Sequence, residues 1–211
     1  MKVPVSRDPQ VVTRRILDAA QAEFAMHGFE GASTNRIARR FGGSKATLFR
    51  YFPTKEALLE AVVRRIAAEW RNQVDGRTLA QDSPQGWLSE FARRTLTWIL
   101  GEGPLFVGRL AIAEGHKFPE LERVFQETAG DPLKELLAQR LRSWTRAGHL
   151  DCRDPRADAE HFLDLIVSGP VSRRLYGQPL VSESKLKVHI ERGVALFLHG
   201  CIRNERTDQR A

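Results

Sequence analysis

Apolar residues recur along most of this chain at the spacing of a single helix face. Val12, Ile16, Ala20 and Phe24 fall every four residues with Leu17 beside them, which predicts an amphipathic helix over about 9–27. Gly28 and Gly31 let the chain leave it. Ser33 or Thr34 can then cap a short helix carrying Ile37, Ala38 and Phe41 on one face. Gly42-Gly43 breaks that helix, Ser44 can cap a third holding Lys45 to Tyr51, and Pro53 ends it. Thr54 can cap a fourth, with Ala57, Leu58, Ala61, Val62 and Ile66 on its inner face.

Past residue 75 the punctuation stays helical. Ser83-Pro84 and Asp154-Pro155 read as an N-cap followed by Pro at the first helical position. Asp131-Pro132 carries the same signal inside a longer pattern and either starts a new helix or kinks one. No run alternates apolar and polar residues between turn signals, so no sheet is predicted. The predicted helices are 9–27, 34–41, 45–51, 55–74, 84–101, 104–116, 119–147 (broken or bent near 130), 155–177 and 183–203. That is an all-α fold of about nine helices, with the first and last eight residues loose.

Composition narrows the class. Of 211 residues, 42% are hydrophobic and 28% charged, the balance of a soluble globular protein. No stretch approaches the roughly 20 uninterrupted apolar residues of a membrane span, and residues 1–30 show no secretory pattern. Cys152 and Cys201 are the two cysteines, too few for a disulfide framework or a four-cysteine zinc site, and a reducing cytoplasm is the expected compartment.

Charge changes the picture more than composition does. The net charge is +7, yet residues 1–65 hold 12 basic and 6 acidic groups while the rest of the chain is nearly balanced. Within 31–55 stand Arg36, Arg39, Arg40, Lys45, Arg50 and Lys55 with no acid among them. A solvated helix face usually mixes signs. A one-sided run on two short helices joined by a Gly turn predicts a phosphate-facing surface, where each basic contact gains affinity by counterion release. Ile37, Phe41, Leu48 and Phe52 can pack beneath that turn, leaving Lys45, Thr47 and Arg50 outside.

The run Ala38-Arg39-Arg40-Phe41-Gly42-Gly43-Ser44-Lys45-Ala46-Thr47-Leu48-Phe49-Arg50-Tyr51-Phe52-Pro53-Thr54-Lys55-Glu56-Ala57-Leu58-Leu59 closely resembles the helix-turn-helix signature of the tetracycline-repressor (TetR/AcrR) family. Ile16-Leu17-Asp18-Ala19-Ala20 and Phe24-Ala25-Met26-His27-Gly28-Phe29 fit that family's first helix. The resemblance implies that Thr34 meets backbone phosphate, that Lys45, Ala46 and Thr47 face base edges, and that Phe49, Arg50 and Tyr51 lie along the phosphate backbone. It makes Lys55 a phosphate-binding lysine at a helix N-terminus. Arg36 and Ser44 complete the predicted DNA-facing set. Three positions depart from the family pattern. Phe49 replaces the usual Tyr, so Tyr51 or Arg50 would take over its phosphate contact. Gly43 replaces an apolar residue and loosens the turn. Ala46 replaces Gly, and its methyl can touch thymine.

The remainder of the chain, from Leu105-Phe106-Val107-Gly108-Arg109-Leu110 through Gly115-His116-Lys117-Phe118-Pro119 to Ala159-Glu160-His161-Phe162, resembles the AefR-like C-terminal domain of the same family. A DNA-binding domain over 9–55 and a ligand-binding and dimerisation domain over 56–205 follow from the resemblance. Candidate ligand contacts are Trp87, Phe91, Trp98, Phe106, Leu110, Glu114, His116 and Phe118, with core packing as the alternative for the aromatics. Glu114 and His116 are two apart and point apart on a helix, so no metal site is predicted there. Stripes carrying Phe162, Ile166 and Val167 and then Ile190, Val194 and Phe197 predict the dimer interface, a four-helix bundle with a second copy, with packing inside the chain as the alternative.

Nucleophile elbows, metal-ligand clusters and phosphate-cradling loops are absent from the sequence, so neither catalysis nor a cofactor is predicted. The expectation is a cytoplasmic, homodimeric repressor that leaves a pseudo-palindromic double-stranded DNA operator when a small-molecule effector binds. The alternative is a DNA binder without a small ligand, either constitutive or sensing redox state through Cys152 and Cys201.

Overall fold

In the computed structural model, which describes residues 8–74 and 83–201, every regular element is helical. In order these are α1 (Pro9–Gly31), α2 (Thr34–Phe41), α3 (Lys45–Tyr51), α4 (Lys55–Ala68), α5 (Trp70–Gln73), α6 (Pro84–Ile99), α7 (Glu102–Glu114), α8 (Pro119–Phe125), a π turn (Gln126–Gly130), α9 (Asp131–Arg146), α10 (Pro155–Leu175) and α11 (Glu183–Cys201). Joined across Glu69 and across the π turn, they are the nine helices the periodicity predicts. Residues 202–203 of the last predicted helix, and both loose ends apart from Asp8, lie outside the described residues.

Two compact units share these elements. The first takes the described residues up to Ala68 together with Phe106–Gln126; the second takes Glu69–Leu105 and the described residues from Glu127 onward. The first unit is thus larger than the 9–55 segment expected for DNA binding. The reason is that α4 packs against both α1 and α8. Leu58, Leu59, Val62, Val63 and Ile66 of α4 join Ile16, Ala20 and Phe24 of α1, Phe106 and Leu110 of α7, and Leu121 and Val124 of α8 in one core.

Local chemistry explains the starts and stops in this unit. Asp8 caps α1, its carboxylate accepting the Gln10 amide at 2.9 Å, with Pro9 at the first helical position. The helix runs four residues past the predicted end because Gly28 (φ 67, ψ −179) kinks it and the chain resumes its coil, turning Phe29 inward.

In the second unit α6 is the central helix, packed by α5, α10 and α11, while α9 lies along α10. Trp87 stacks on Phe91 at 5.0 Å and meets Trp144 edge-on at 5.6 Å; Phe91 leads to Phe162, and Phe162 to Phe197 at 5.0 Å. Leu88, Leu137, Leu141, Ile166 and Val194 fill the space around this aromatic chain.

Two helix-interior prolines shape this unit. A proline lacks the amide that would bond the carbonyl four residues back. Pro132 therefore leaves the Thr128 carbonyl without its helical donor, the coil widens into the π turn, and the Trp70 indole N–H donates to that carbonyl at 2.9 Å. This settles the Asp131-Pro132 signal: the coil runs on through a π turn rather than ending. Pro170 frees the Ile166 carbonyl in the same way, and His189 Nε2 on α11 lies 2.8 Å from it. A carbonyl only accepts, so that ring nitrogen carries the proton.

The dimer stripe needs correction. Phe162, Ile166, Ile190, Val194 and Phe197 are buried within the single chain, and Val167 is half-buried. They close the protomer's own core because α11 docks on α6 and α10. The face that α10 and α11 leave open carries Leu165, Val188 and Leu196 instead.

Candidate nucleic-acid interface

Helices this short do not persist by propensity, so caps and burial must hold them. Ser33 caps α2, its hydroxyl accepting the Arg36 amide, which resolves the choice between Ser33 and Thr34. At the other end Gly42 adopts φ 77, the left-handed conformation, and the Gly43 amide reaches back to the Ala38 carbonyl at 3.0 Å. The Gly43 position is closed rather than loose. A Cβ there would stand 2.0 Å from the Phe41 ring, so a larger residue in this turn requires that buried ring to shift. Ser44 caps α3, accepting the Thr47 amide at 3.0 Å and sharing a 2.9 Å hydrogen bond with the Thr47 hydroxyl.

Leu48 is the one fully buried residue of α3. Lys45, Ala46 and Arg50 are exposed, Thr47, Phe49 and Tyr51 half-buried. Leu48 anchors the helix with Tyr51 packed partly against the same core, which leaves the Lys45, Ala46 and Arg50 side open. Lys45 Nζ lies 5.6 Å from the Phe49 ring centre and the Arg50 guanidinium 5.5 Å from that of Tyr51. Phe49, which has no hydroxyl for phosphate, thus provides a ring beside the lysine head. Arg39 and Arg40 are exposed in the last turn of α2, next to this surface in sequence.

Arg36 and Lys55 sit differently from the rest of the predicted set. Arg36 Nε donates to Glu23 Oε1 at 2.6 Å and its Nη2 to the Gly31 carbonyl at 2.6 Å. Glu23, 3% exposed, also accepts the Ser33 amide at 3.0 Å. Burial alone would raise its pKa, but the Ser33 amide and the Arg36 pair, with His27 nearby, outweigh that and hold it below its usual 4.5. Arg36 is therefore a clamp between α1 and α2. Sequence reasoning missed Glu23, whose signal was an acid one residue from Phe24 on the apolar stripe of α1.

Lys55 opens α4, where Thr54 accepts the Ala57 amide as cap. Its ammonium turns back, lies 4.5 Å from the Phe29 ring centre and donates to the Glu30 and Ala32 carbonyls, each at 3.3 Å. A cation at a helix N-terminus opposes the dipole, so carbonyls and a ring make natural partners. Two of its three N–H donors are so engaged.

The predicted ligand contacts divide between the units. Trp87, Phe91 and Trp98 belong to α6 in the second, where all three are buried. Phe106, Leu110, Glu114, His116 and Phe118 belong to the first. There Phe106 and Leu110 are core, Glu114 pairs with Lys117 at 3.2 Å, His116 is exposed and Phe118 meets Phe29 edge-on at 4.6 Å. Within the second unit a groove of about 910 Å³ follows the opposite face of α6 and α11, and none of the eight lines it. Its apolar floor includes Leu96, Leu100, Leu180 and Ile190, with Ser89, Thr97 and Ser184 adding hydroxyls. Glu90 on its rim is held down to about 2 by the hydrogen bond from Arg93, opposed by burial and reinforced by Arg94, so its charge is already matched. Among the described residues no His, Cys, Asp and Glu cluster is built to hold a metal, and no single helix is long and apolar enough to cross a membrane.

Comparison with known proteins agrees with this geometry. Residues 16–62 match the family described as bacterial regulatory proteins, tetR family, and residues 86–200 the AefR-like transcriptional repressor, C-terminal domain. The HTH-type transcriptional regulator RutR of Escherichia coli K12 is 28% identical over 181 residues, covering 75% of this chain and 77% of RutR. A crystal structure of a TetR-family regulator from Mesorhizobium loti superposes with a TM-score of 0.83 at 27% identity, covering 92% of this chain and 98% of its own. The flavonoid-responsive regulator FrrA gives a TM-score of 0.74 at 28% identity over 95% and 98% of the two chains. These relatives are transcriptional regulators rather than enzymes. With its basic α3 and more than half of its length accounted for by these two descriptions, the chain belongs to the TetR family of DNA-binding transcriptional regulators.

Proposed function

We propose that this protein is an effector-released repressor that reads a pseudo-palindromic operator as a two-fold dimer. The observation that carries the DNA reading is α3, anchored through Leu48 and presenting Lys45, Ala46, Thr47 and Arg50 within an acid-free stretch. Lys45, Ala46 and Thr47 take base edges; Arg50, Tyr51, Thr34 and the remaining N–H of Lys55 take phosphate. Arg39 and Arg40 join the backbone contacts, whereas Arg36 acts from behind by holding α2 on α1.

Dimerisation uses the open face of α10 and α11, where Leu165, Val188 and Leu196 are 39%, 49% and 66% exposed beside Gly193. A C₂ pairing supplies two copies of α3, one for each half-site of a pseudo-palindrome. Leu196→Glu should yield a folded monomer in sedimentation; an unchanged dimer would move the interface elsewhere.

For the effector, the α6–α11 groove supports an uncharged, largely apolar molecule with hydroxyl groups, because its rim charges are matched and its hydroxyls are not all engaged. A relative responsive to flavonoids fits that chemistry. The redox alternative loses ground because Cys152 is buried, and the Cys201 side chain lies outside the described residues.

The test is binding to DNA from the protein's own upstream region at two salt concentrations, with random DNA as competitor and then with a panel of flavonoids. Competitor-resistant binding to a palindrome, released by one of the panel, is the expected result. Binding that random DNA removes would overturn the local operator, and release by none of the panel would overturn the ligand class.

A further inference from the structure

We propose that the elbow between α7 and α8 is a positioning element for Lys55, acting through the contact of Phe118 with Phe29. The proposal rests on the reading of Lys55 as a phosphate contact.

Lysine carries a point charge on a flexible stem, with no fork to fix its direction. Here three surfaces direct it, the Phe29 ring and the Glu30 and Ala32 carbonyls, and all three belong to one turn at the end of α1. Where that turn lies decides where the remaining N–H of Lys55 points.

The elbow grips this same turn. A Cβ at Gly115 would stand 2.3 Å from the Ala111 carbonyl oxygen, so a glycine is needed for the chain to leave α7 there. Pro119, first in α8, keeps the preceding residue out of the helical region, and Phe118 sits at φ −131, ψ 62. Its ring is thereby turned onto Phe29, 4.6 Å between centres at 69°. Phe29 is 3% exposed and also stacks on Phe24 at 5.9 Å, so it cannot shift without its neighbours. Beside it Lys117 bridges Glu30 at 3.5 Å and Glu114 at 3.2 Å, and these carboxylates hold its pKa above the usual value. From the elbow the turn is thus gripped by the ring of Phe118 and the ammonium of Lys117, beside the hold of Arg36 on the Gly31 carbonyl.

A purely structural Phe118 would alter stability and leave the electrostatics of DNA binding alone. The experiment measures the salt dependence of binding to a mixed-sequence DNA duplex for the full chain, Phe118→Leu, Lys55→Ala and the double variant. Leucine keeps the apolar volume and removes the ring edge. Lys55→Ala should lower the salt slope by about one. Phe118→Leu should lower it by a substantial part of that and weaken binding about threefold to tenfold. The double variant should match Lys55→Ala. An unchanged slope for Phe118→Leu beside a lowered one for Lys55→Ala would overturn the elbow's role and leave the phosphate reading standing. An unchanged slope for Lys55→Ala would overturn both. If Phe118→Leu does not fold, Glu30→Gln loosens the same turn from the surface, and there an unchanged slope overturns the proposal.

Discussion

The two units solve the same problem, fixing helices against one another, with different chemistry. In the first, short helices are held by directed polar contacts: the Ser33 and Ser44 caps, the Glu23–Arg36 pair and the Lys55 ammonium on two carbonyls. In the second, long helices are held by a chain of aromatic rings from Trp144 to Phe197. Polar contacts have direction and fix where a charge stands; apolar contacts bury surface and have little direction of their own.

The sharpest way to break this comparison is to empty the aromatic chain. Phe91→Ala should cost about 3–5 kcal/mol, because the ring is wholly buried and its neighbours cannot collapse into the space. Thermal unfolding would read it, and a loss under 1 kcal/mol would deny the chain its role. Next comes Glu23→Gln, which leaves Arg36 without its carboxylate and should cost about 2 kcal/mol. The folded-state pKa of Glu23 is depressed, so its contribution is present above the unfolded value of 4.5 and lost as pH falls below it. The variant should therefore lose less stability than the parent between pH 5 and lower values in acid titrations followed by circular dichroism.

Smaller effects sharpen the picture. Trp70→Phe keeps most of the ring but leaves the Thr128 carbonyl without its indole donor, for a loss of about 1–2 kcal/mol in unfolding free energy, read from denaturant titration. Lys45→Ala should change stability by less than about 0.5 kcal/mol. Its effect belongs to DNA, where discrimination against a wrong base should fall by about 1–3 kcal/mol. Loss of stability without loss of discrimination would place Lys45 in the fold rather than on the operator.

Much of the first unit was legible in the sequence because its signals are local. Ser33, Gly42, Ser44 and Thr54 each act on residues within a few positions, and α2 and α3 begin and end where those residues predict. What escaped was long-range. That Arg36 turns to Glu23, thirteen residues away, and not to solvent depends on where α1 packs. The core or dimer fate of Phe162, Ile166, Ile190, Val194 and Phe197 escaped for the same reason. An apolar stripe states that it will be covered, and only the docking of α11 on α6 and α10 states by what. The aromatic residues of α6 marked that helix as central, yet the groove lies along its other face, lined by residues such as Ser89, Arg93 and Thr97 that composition marks as ordinary surface.

The interior prolines have a consequence for how uniquely the second unit can pack. Apolar helix faces repeat every turn, so two of them can slide past one another by one turn at modest cost in burial. Pro170 removes that freedom. It leaves a single acceptor along α10, the Ile166 carbonyl, and a single imidazole on α11 meets it; Pro132 does the same with Trp70. Each proline moves one hydrogen bond from inside a helix to between two helices, and local regularity is exchanged for a unique register.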